Sequence, residues 1–319
     1  MDALRKAVRA RRPGILLAVL AAAAMVVPRA GMAFVAAPPA PPAPASPKDA
    51  TELVFYPVGE LAQDQRGDYY ANLLKLVLSK ADEPFQAHPT VHASGINRAF
   101  TRMAQGDGVD VMWAPATEQL DRDFLRVRLP LDKGILGWRL FLVRAEDIGK
   151  FAAIRSIAQL KAHTAGQVSE WVDTDILTAN SVPVVKTMRY QDIFNMLAAR
   201  RFDYLPRGVA EIRGEAASYA HMGLAVETRV ALHYPMCSYF YVARGNKRLA
   251  QQLEAGLRRA TKDGSFEQLF RQFNEPALQA AALNKREVFE LTNPYAPRGT
   301  DADRDDCTAV SNSLAKGVK

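Results

Sequence analysis

The stretch Gly106-Asp107-Gly108-Val109-Asp110-Val111-Met112-Trp113 decides the fold class. Gly-Asp-Gly is turn chemistry, and the apolar run behind it, 109–113, predicts a short buried strand. Upstream, 97–103 reads as a helix, 90–93 as a strand, and 69–78 as a helix with Leu73, Leu74, Val77 and Leu78 at helical spacing. Residues 53–56 read as a first strand, broken by Pro57-Val58-Gly59. Strand, helix, strand, helix, strand predicts a parallel α/β sheet.

Downstream the alternation restarts after an apolar run at 140–143. A helix is expected over 154–163, a loop over 166–171, and a helix over 173–179 with Asp173 or Thr174 available to cap it. Residues 182–185 read as a strand, 190–199 as a helix with Ile193, Phe194 and Leu197 on one face, and 202–205 as a strand. A strand over 239–242 and helices over 249–273, interrupted at Asp263-Gly264, complete the pattern. This predicts two α/β lobes joined by at least two crossings: 51–142 with 233–275, and 143–232. Residues 276–319 read as a strapping extension with a polar tail.

The ends of the chain carry other signals. Arg5, Lys6, Arg9, Arg11 and Arg12 precede an uncharged run over 14–27, and Gly31-Met32-Ala33 offers small residues for cleavage. Residues 1–33 therefore read as an export signal, with an uncleaved anchor as the other reading; the run is short of the roughly 20 residues that span a bilayer. Arg11-Arg12 hints at twin-arginine export, but Pro13-Gly14 favours the general secretory route. Pro38, Pro39, Pro41, Pro42, Pro44 and Pro47 mark 34–50 as an extended spacer.

The formal charge is +7, from 41 Lys+Arg against 34 Asp+Glu. Six basic and one acidic side chain lie in 1–33, so the remainder carries only +2. That removes most of the electrostatic case for nucleic acid. With 319 residues, 49% of them hydrophobic, the chain can bury a real core, which excludes a disordered tail protein. Two cysteines cannot form a disulfide framework or a four-ligand zinc site. Cys237 and Cys307 could pair in an oxidising compartment, although spacing does not establish proximity.

With these segments in place, the chain resembles the bacterial extracellular solute-binding proteins of family 3, the amino-acid-type periplasmic binding proteins of ABC transporters. The resemblance rests on 106–113, on Thr117 and Arg122, on Leu129-Pro130-Leu131, on 196–204, and on Asn246-Lys247-Arg248-Leu249 running to Asp263-Gly264-Ser265-Phe266. It covers roughly 51–275. Within that family the chain resembles a divergent branch, through Lys133-Gly134-Ile135-Leu136-Gly137-Trp138-Arg139, Trp171-Val172-Asp173-Thr174, and 202–208. The resemblance implies a type II periplasmic-binding-protein fold: two α/β lobes, a two-crossing hinge and a ligand cleft between them. It also implies a periplasmic, monomeric protein that works without a cofactor, with an ABC transporter permease or a membrane receptor as partner.

Two departures bear on the ligand. In the family an arginine of a Thr-x-x-Arg segment holds the α-carboxylate, whereas here Thr117 and Arg122 are five apart. Near the place of the aspartate that holds the α-amine stands Pro206-Arg207-Gly208. A small anion, a carboxylate or acidic amino-acid derivative, then fits better than a zwitterion.

Ligands of α/β lobes meet loops beyond the carboxyl ends of strands, near helix N-termini. The ligand-binding candidates are Tyr56, Arg66, Trp113, Thr117, Arg122, Trp138, Arg139, Trp171, Asp173, Thr174 and Arg207. Aromatic faces could stack on a ligand body while arginines clamp anionic groups. Each has an ordinary alternative. The tryptophans could be packing, the arginines salt-bridged surface residues, Thr117 a helix cap, Asp64 and Arg66 a local ion pair, and Gly134 and Gly137 backbone geometry at the crossing.

Enzymatic motifs are sparse. His88 and His92 are separated by Pro89 and lack a completing carboxylate or cysteine cluster, and His163, His221 and His233 are isolated. No nucleophile elbow, Walker loop or dinucleotide fingerprint is present. The competing reading is a dehydratase-like enzyme on the same scaffold, with Glu211 or Asp173 as a general acid of raised pKa. A third is a ligand sensor for a membrane receptor.

Overall fold

The structure, a computed structural model, describes residues 51–59, 66–295 and Cys307. The export signal, the spacer and Asp64 lie outside the described residues.

In lobe 1, β1 (Glu52–Tyr56) pairs in parallel with β2 (Phe85–Pro89), with α1 (Asp68–Ser79) between them in sequence. α2 (Ile96–Gln105) leads through Gly106, in the left-handed region, to β3 (Val111–Pro115). Asp110 joins the two pairs of strands, since its N–H donates to Phe55 O at 2.8 Å and its carboxylate accepts the Phe55 N–H at 2.8 Å. α3 (Glu118–Asp123) and β4 (Phe124–Arg126) follow.

The chain then crosses into lobe 2 as β5 (Trp138–Arg144), buried along its whole length. Lobe 2 continues with α4 (Ile148–Ala152), α5 (Ile157–Leu160), β6 (Ala165–Val168), α6 (Val172–Ala179), β7 (Val184–Thr187), α7 (Tyr190–Ala198), β8 (Leu205–Gly208), α8 (Ile212–Ser218), β9 (Leu224–Val226) and β10 (Val230–His233). β5 carries β8 on one edge and, in succession, β10 and β9 as its other partners, all antiparallel to it. β6 and β7 are parallel, and β6 meets the β8 side through Ala165 and Tyr204. A second crossing returns to lobe 1 as β11 (Ser238–Ala243), which lies between β3 and β4. α9 (Lys247–Lys262) and α10 (Ser265–Ala281) then pack on α1. β12 (Glu287–Glu290) goes back to lobe 2 beside β10.

Several expectations shift. The second strand lies at β2, because Thr90 to Ala93 forms the loop beyond it. The expected loop over 166–171 holds β6, whose four residues are all buried. Small and polar residues, Ala165, Gly166 and Gln167, hid that strand. The helix expected over 154–163 is only the short α5, preceded by α4. Neither Asp173 nor Thr174 caps α6, since Trp171 is the N-cap residue and no side chain bonds there. The lobe limit placed at 142/143 falls inside β5, and that at 275/276 inside α10.

The crossings touch at Gly137. A Cβ there would stand 2.0 Å from Tyr234 O, so only glycine lets the two strands approach this closely. One apolar cluster runs from Leu73, Val77 and Phe240 in lobe 1 through Leu131, Ile135 and Trp138 to Leu205 and Phe194 in lobe 2. A second lies under α6, with Phe141, Tyr204, Ile176 and Leu177. Cys237 and Cys307 are disulfide-bonded, their Cα atoms 5.9 Å apart, and both side chains lie in a lobe 1 cluster with Phe100 and Tyr239.

Candidate functional site

Lobe 1 meets the cleft with rings. Trp113, midway along β3, stacks on Tyr70 of α1 with ring centroids 5.6 Å apart and planes at 18°, and lies 6.0 Å from Tyr56. Gly67 makes room for this, since a Cβ there would be 3.2 Å from the indole. The Tyr70 hydroxyl donates to buried Asp132 at 3.1 Å. Asp132 also accepts the Ser238 N–H at 3.1 Å and the Gly134 N–H at 3.1 Å, so it ties the two crossings together. Burial outweighs these bonds and pushes its carboxyl up to about 6.

Lobe 2 meets the cleft with charges. At the end of β8, Arg207 donates from Nε to Glu215 Oε2 at 2.7 Å and from Nη2 to Glu215 Oε1 at 2.7 Å. Its Nη2 also lies 2.9 Å from Glu211 Oε2. The Arg207 guanidinium sits 4.3 Å from the centroid of Trp171, and the Tyr190 hydroxyl donates to Glu215 at 2.8 Å. One strand over, Arg139 Nε stands 2.6 Å from Asp173 Oδ1, and Tyr234 bonds to both of them. Asp173, Tyr190 and Glu211 each stand at the start of a helix, α6, α7 and α8 respectively.

Burial alone would raise the Glu211 carboxyl, but Arg207, Arg139 and Arg66 outweigh it and hold it below the usual glutamate value. Burial would likewise discharge Arg139 and Arg207, and their carboxylate neighbours instead push both further up. The two lobes meet at Arg66, which comes from lobe 1 and lies 3.9 Å above the ring of Tyr190 in lobe 2.

The expected residues therefore divide. Tyr56, Arg66, Trp113, Arg139, Trp171, Asp173 and Arg207 come together. Thr117 caps α3, accepting the Leu120 N–H at 3.1 Å. Arg122 lies on the exposed side of the same short helix, bonded to Gln119 and beside Glu118, so its expected place at a ligand gives way to a surface pair. Trp138 is buried against His233 with centroids 4.3 Å apart, and is a packing residue. Thr174 donates to Val168 O at 2.9 Å, which holds the start of α6 to β6. Tyr70, Asp132, Tyr190, Glu215 and Tyr234 were not anticipated. Of these, only Glu215 carries a signal in sequence, four residues after Glu211 and eight after Arg207.

No family model matches the chain, and no curated protein does. Among solved structures the chain is similar to an ancestral arginine-binding protein bound to arginine, at 16% identity and a TM-score of 0.51, over 71% of this chain and 99% of that one. It is also similar to a histidine kinase sensor domain with similarity to periplasmic binding proteins, at 15% and 0.52, over 71% and 96%. A third is the GluR0 ligand-binding core from Nostoc punctiforme in complex with L-glutamate, at 15% and 0.50, over 70% and 100%. No helix among the described residues is long and apolar enough to cross a membrane. At these identities the likeness bears on architecture alone, and the chain has the fold of the type II periplasmic binding proteins.

Proposed function

We propose that the protein is a periplasmic solute-binding protein that captures a small polar, amino-acid-like ligand by hinge closure and delivers it to an ABC transporter. The observation that carries this reading is the contact of Arg66 with Tyr190. It joins an aromatic wall on one lobe to an ion cluster on the other. Two lobes joined by adjoining crossings suit opening and closing around such a site, with β12 as a third passage between them.

Charge balance turns the reading away from the small anion expected from the sequence. Arg66, Arg139 and Arg207 face Asp173, Glu211 and Glu215. A bare anion would have to compete with carboxylates already in place, whereas a ligand bearing both charges, or neutral polar groups, can join the pairs without leaving a buried charge alone. Glu211 also stands just past β8, close to where the family's amine-binding aspartate was sought. Glu211, one of the two acids considered for chemistry on this scaffold, is held low, the opposite of what a general acid needs.

The test is mass spectrometry of small molecules released from the purified protein, followed by thermal-shift titration with amino acids, dicarboxylates and polyamines. Binding of an amino-acid-like compound, lost in Arg207→Leu, is the expected result. Turnover of a bound compound, or stabilisation by dicarboxylates alone, overturns the reading.

A further inference from the structure

After α10 completes lobe 1, the chain is sewn onto lobe 2. Arg286 makes the passage. Its buried side chain donates from Nε to Ala281 O at 2.7 Å, at the end of α10, and from Nη1 to Glu227 O at 2.7 Å and Val230 O at 3.1 Å, beside β10. β12 then lies along β10, with Phe289 and Leu291 in the lobe 2 core and Glu290 2.6 Å from His233 Nδ1.

The residues that follow converge on α6. The Thr292 N–H donates to Asn180 Oδ1 at 3.0 Å, and Asn180 Nδ2 donates to Thr292 O at 2.7 Å, a reciprocal pair at the C-cap of the helix. At its other end, the Tyr295 hydroxyl donates to Asp175 at 2.7 Å. Between these contacts, buried Asn293 donates to Pro235 O at 2.7 Å in the second crossing, close to the Cys237–Cys307 disulfide. α6 has eight residues, too few to hold a helix by local bonds alone, so its position is set by such ties. Its start carries Trp171 and Asp173, and Asp173 bonds to Tyr234 of the same crossing.

We propose that residues 286–295 form a strap that fixes α6 against the second crossing, making Asn180 and Tyr295 positioning residues for Trp171 and Asp173. Their importance to ligand binding rests on the reading of that cluster as the binding site, whereas the positioning itself does not.

The experiment is hydrogen-exchange mass spectrometry of the full chain, comparing wild type with Asn180→Ala/Tyr295→Phe and with Tyr295→Phe. Fluorescence of the same variants is read in a Trp113→Phe/Trp138→Phe background, where Trp171 is the sole indole. Exchange over 172–179 is expected to rise at least tenfold while 190–198, which packs in the other core cluster, keeps its rate. Trp171 emission should move to longer wavelength. Unchanged exchange over 172–179, or an equal rise in both helices, overturns the proposal. Should the double variant fail to fold, Tyr295→Phe alone decides by the same two readouts with a smaller rise. A ligand screen that finds no binder leaves these readouts intact, so the two readings can fail separately.

Discussion

Lobe 1 faces the cleft with stacked rings, and lobe 2 faces it with paired charges. Trp113 and Tyr70 meet over a broad surface whose energy changes little with small sliding motions. Arg207 and Glu215 meet through two directed bonds between buried groups, and little of that arrangement survives a small displacement. The contrast suggests a division of labour in which lobe 1 supplies contact area and lobe 2 sets charge and register. Arg66 carries a cation from lobe 1 onto a ring of lobe 2.

The sharpest way to break this contrast is Arg207→Leu. It leaves Glu215 buried with Tyr190 as its remaining donor among the described residues, and the expected loss is about 3–5 kcal/mol by urea denaturation. Arg207→Leu/Glu215→Leu should recover part of it, because it removes the stranded Glu215 charge while Glu211, which also pairs with Arg207, keeps Arg139 and Arg66 near it. A single-variant loss under about 1 kcal/mol would show that the lobe 2 pairs are not fixed.

Asp132 sharpens the lobe 1 side, since it holds the Tyr70 hydroxyl. Its carboxyl is pushed from the usual 3.8 up to about 6, so between those values the folded protein binds a proton that the unfolded chain lacks. The stability this supplies is full below about pH 4 and is lost as pH rises through 6, a change on the order of 3 kcal/mol. The stability of wild type minus that of Asp132→Asn should fall by that amount between pH 4 and 7. The subtraction is needed because Asp147 and Glu267, held low by basic partners, lose stability in the opposite direction as pH falls. A flat difference would mean the carboxylate stays ionised in the folded state.

Tyr190→Phe separates the two kinds of contact within one residue. It keeps the ring under Arg66 and removes only the bond to Glu215, so a loss of about 1.5 kcal/mol is expected in urea. A loss as large as that of Arg207→Leu would put the energy in the ring contact.

How far the sequence anticipated this depends on range. The turn at Gly106-Asp107-Gly108 and the apolar runs are local, and they placed β1, α1, α2 and β3 to within a few residues. The cluster was half legible, because Arg139, Trp171, Asp173 and Arg207 stand at strand ends or helix starts. Tyr190 and Tyr234 looked like ordinary aromatics of a helix and a strand end, and only the packing of β8 against β5 and β6 brings them to Arg207 and Asp173. Asp132 carries no local signal, since its two long-range donors, Tyr70 and Ser238, lie far away in sequence.

Arg122 against Arg207 is the same contrast within one residue type. Arg122 resembled the family's carboxylate-holding arginine, yet its side chain is 63% exposed and its partners, Glu118 and Gln119, are neighbours on α3. An exposed i,i+4 pair contributes no more than about 0.5 kcal/mol. Arg122→Ala should therefore stay within about 0.5 kcal/mol of wild type in urea and leave any ligand-induced thermal shift unchanged. If it abolished that shift at unchanged stability, Arg122 would have to reach the ligand in another arrangement of the lobes. The charge that reads the ligand would then come from lobe 1, opposite to the division argued from the paired cluster.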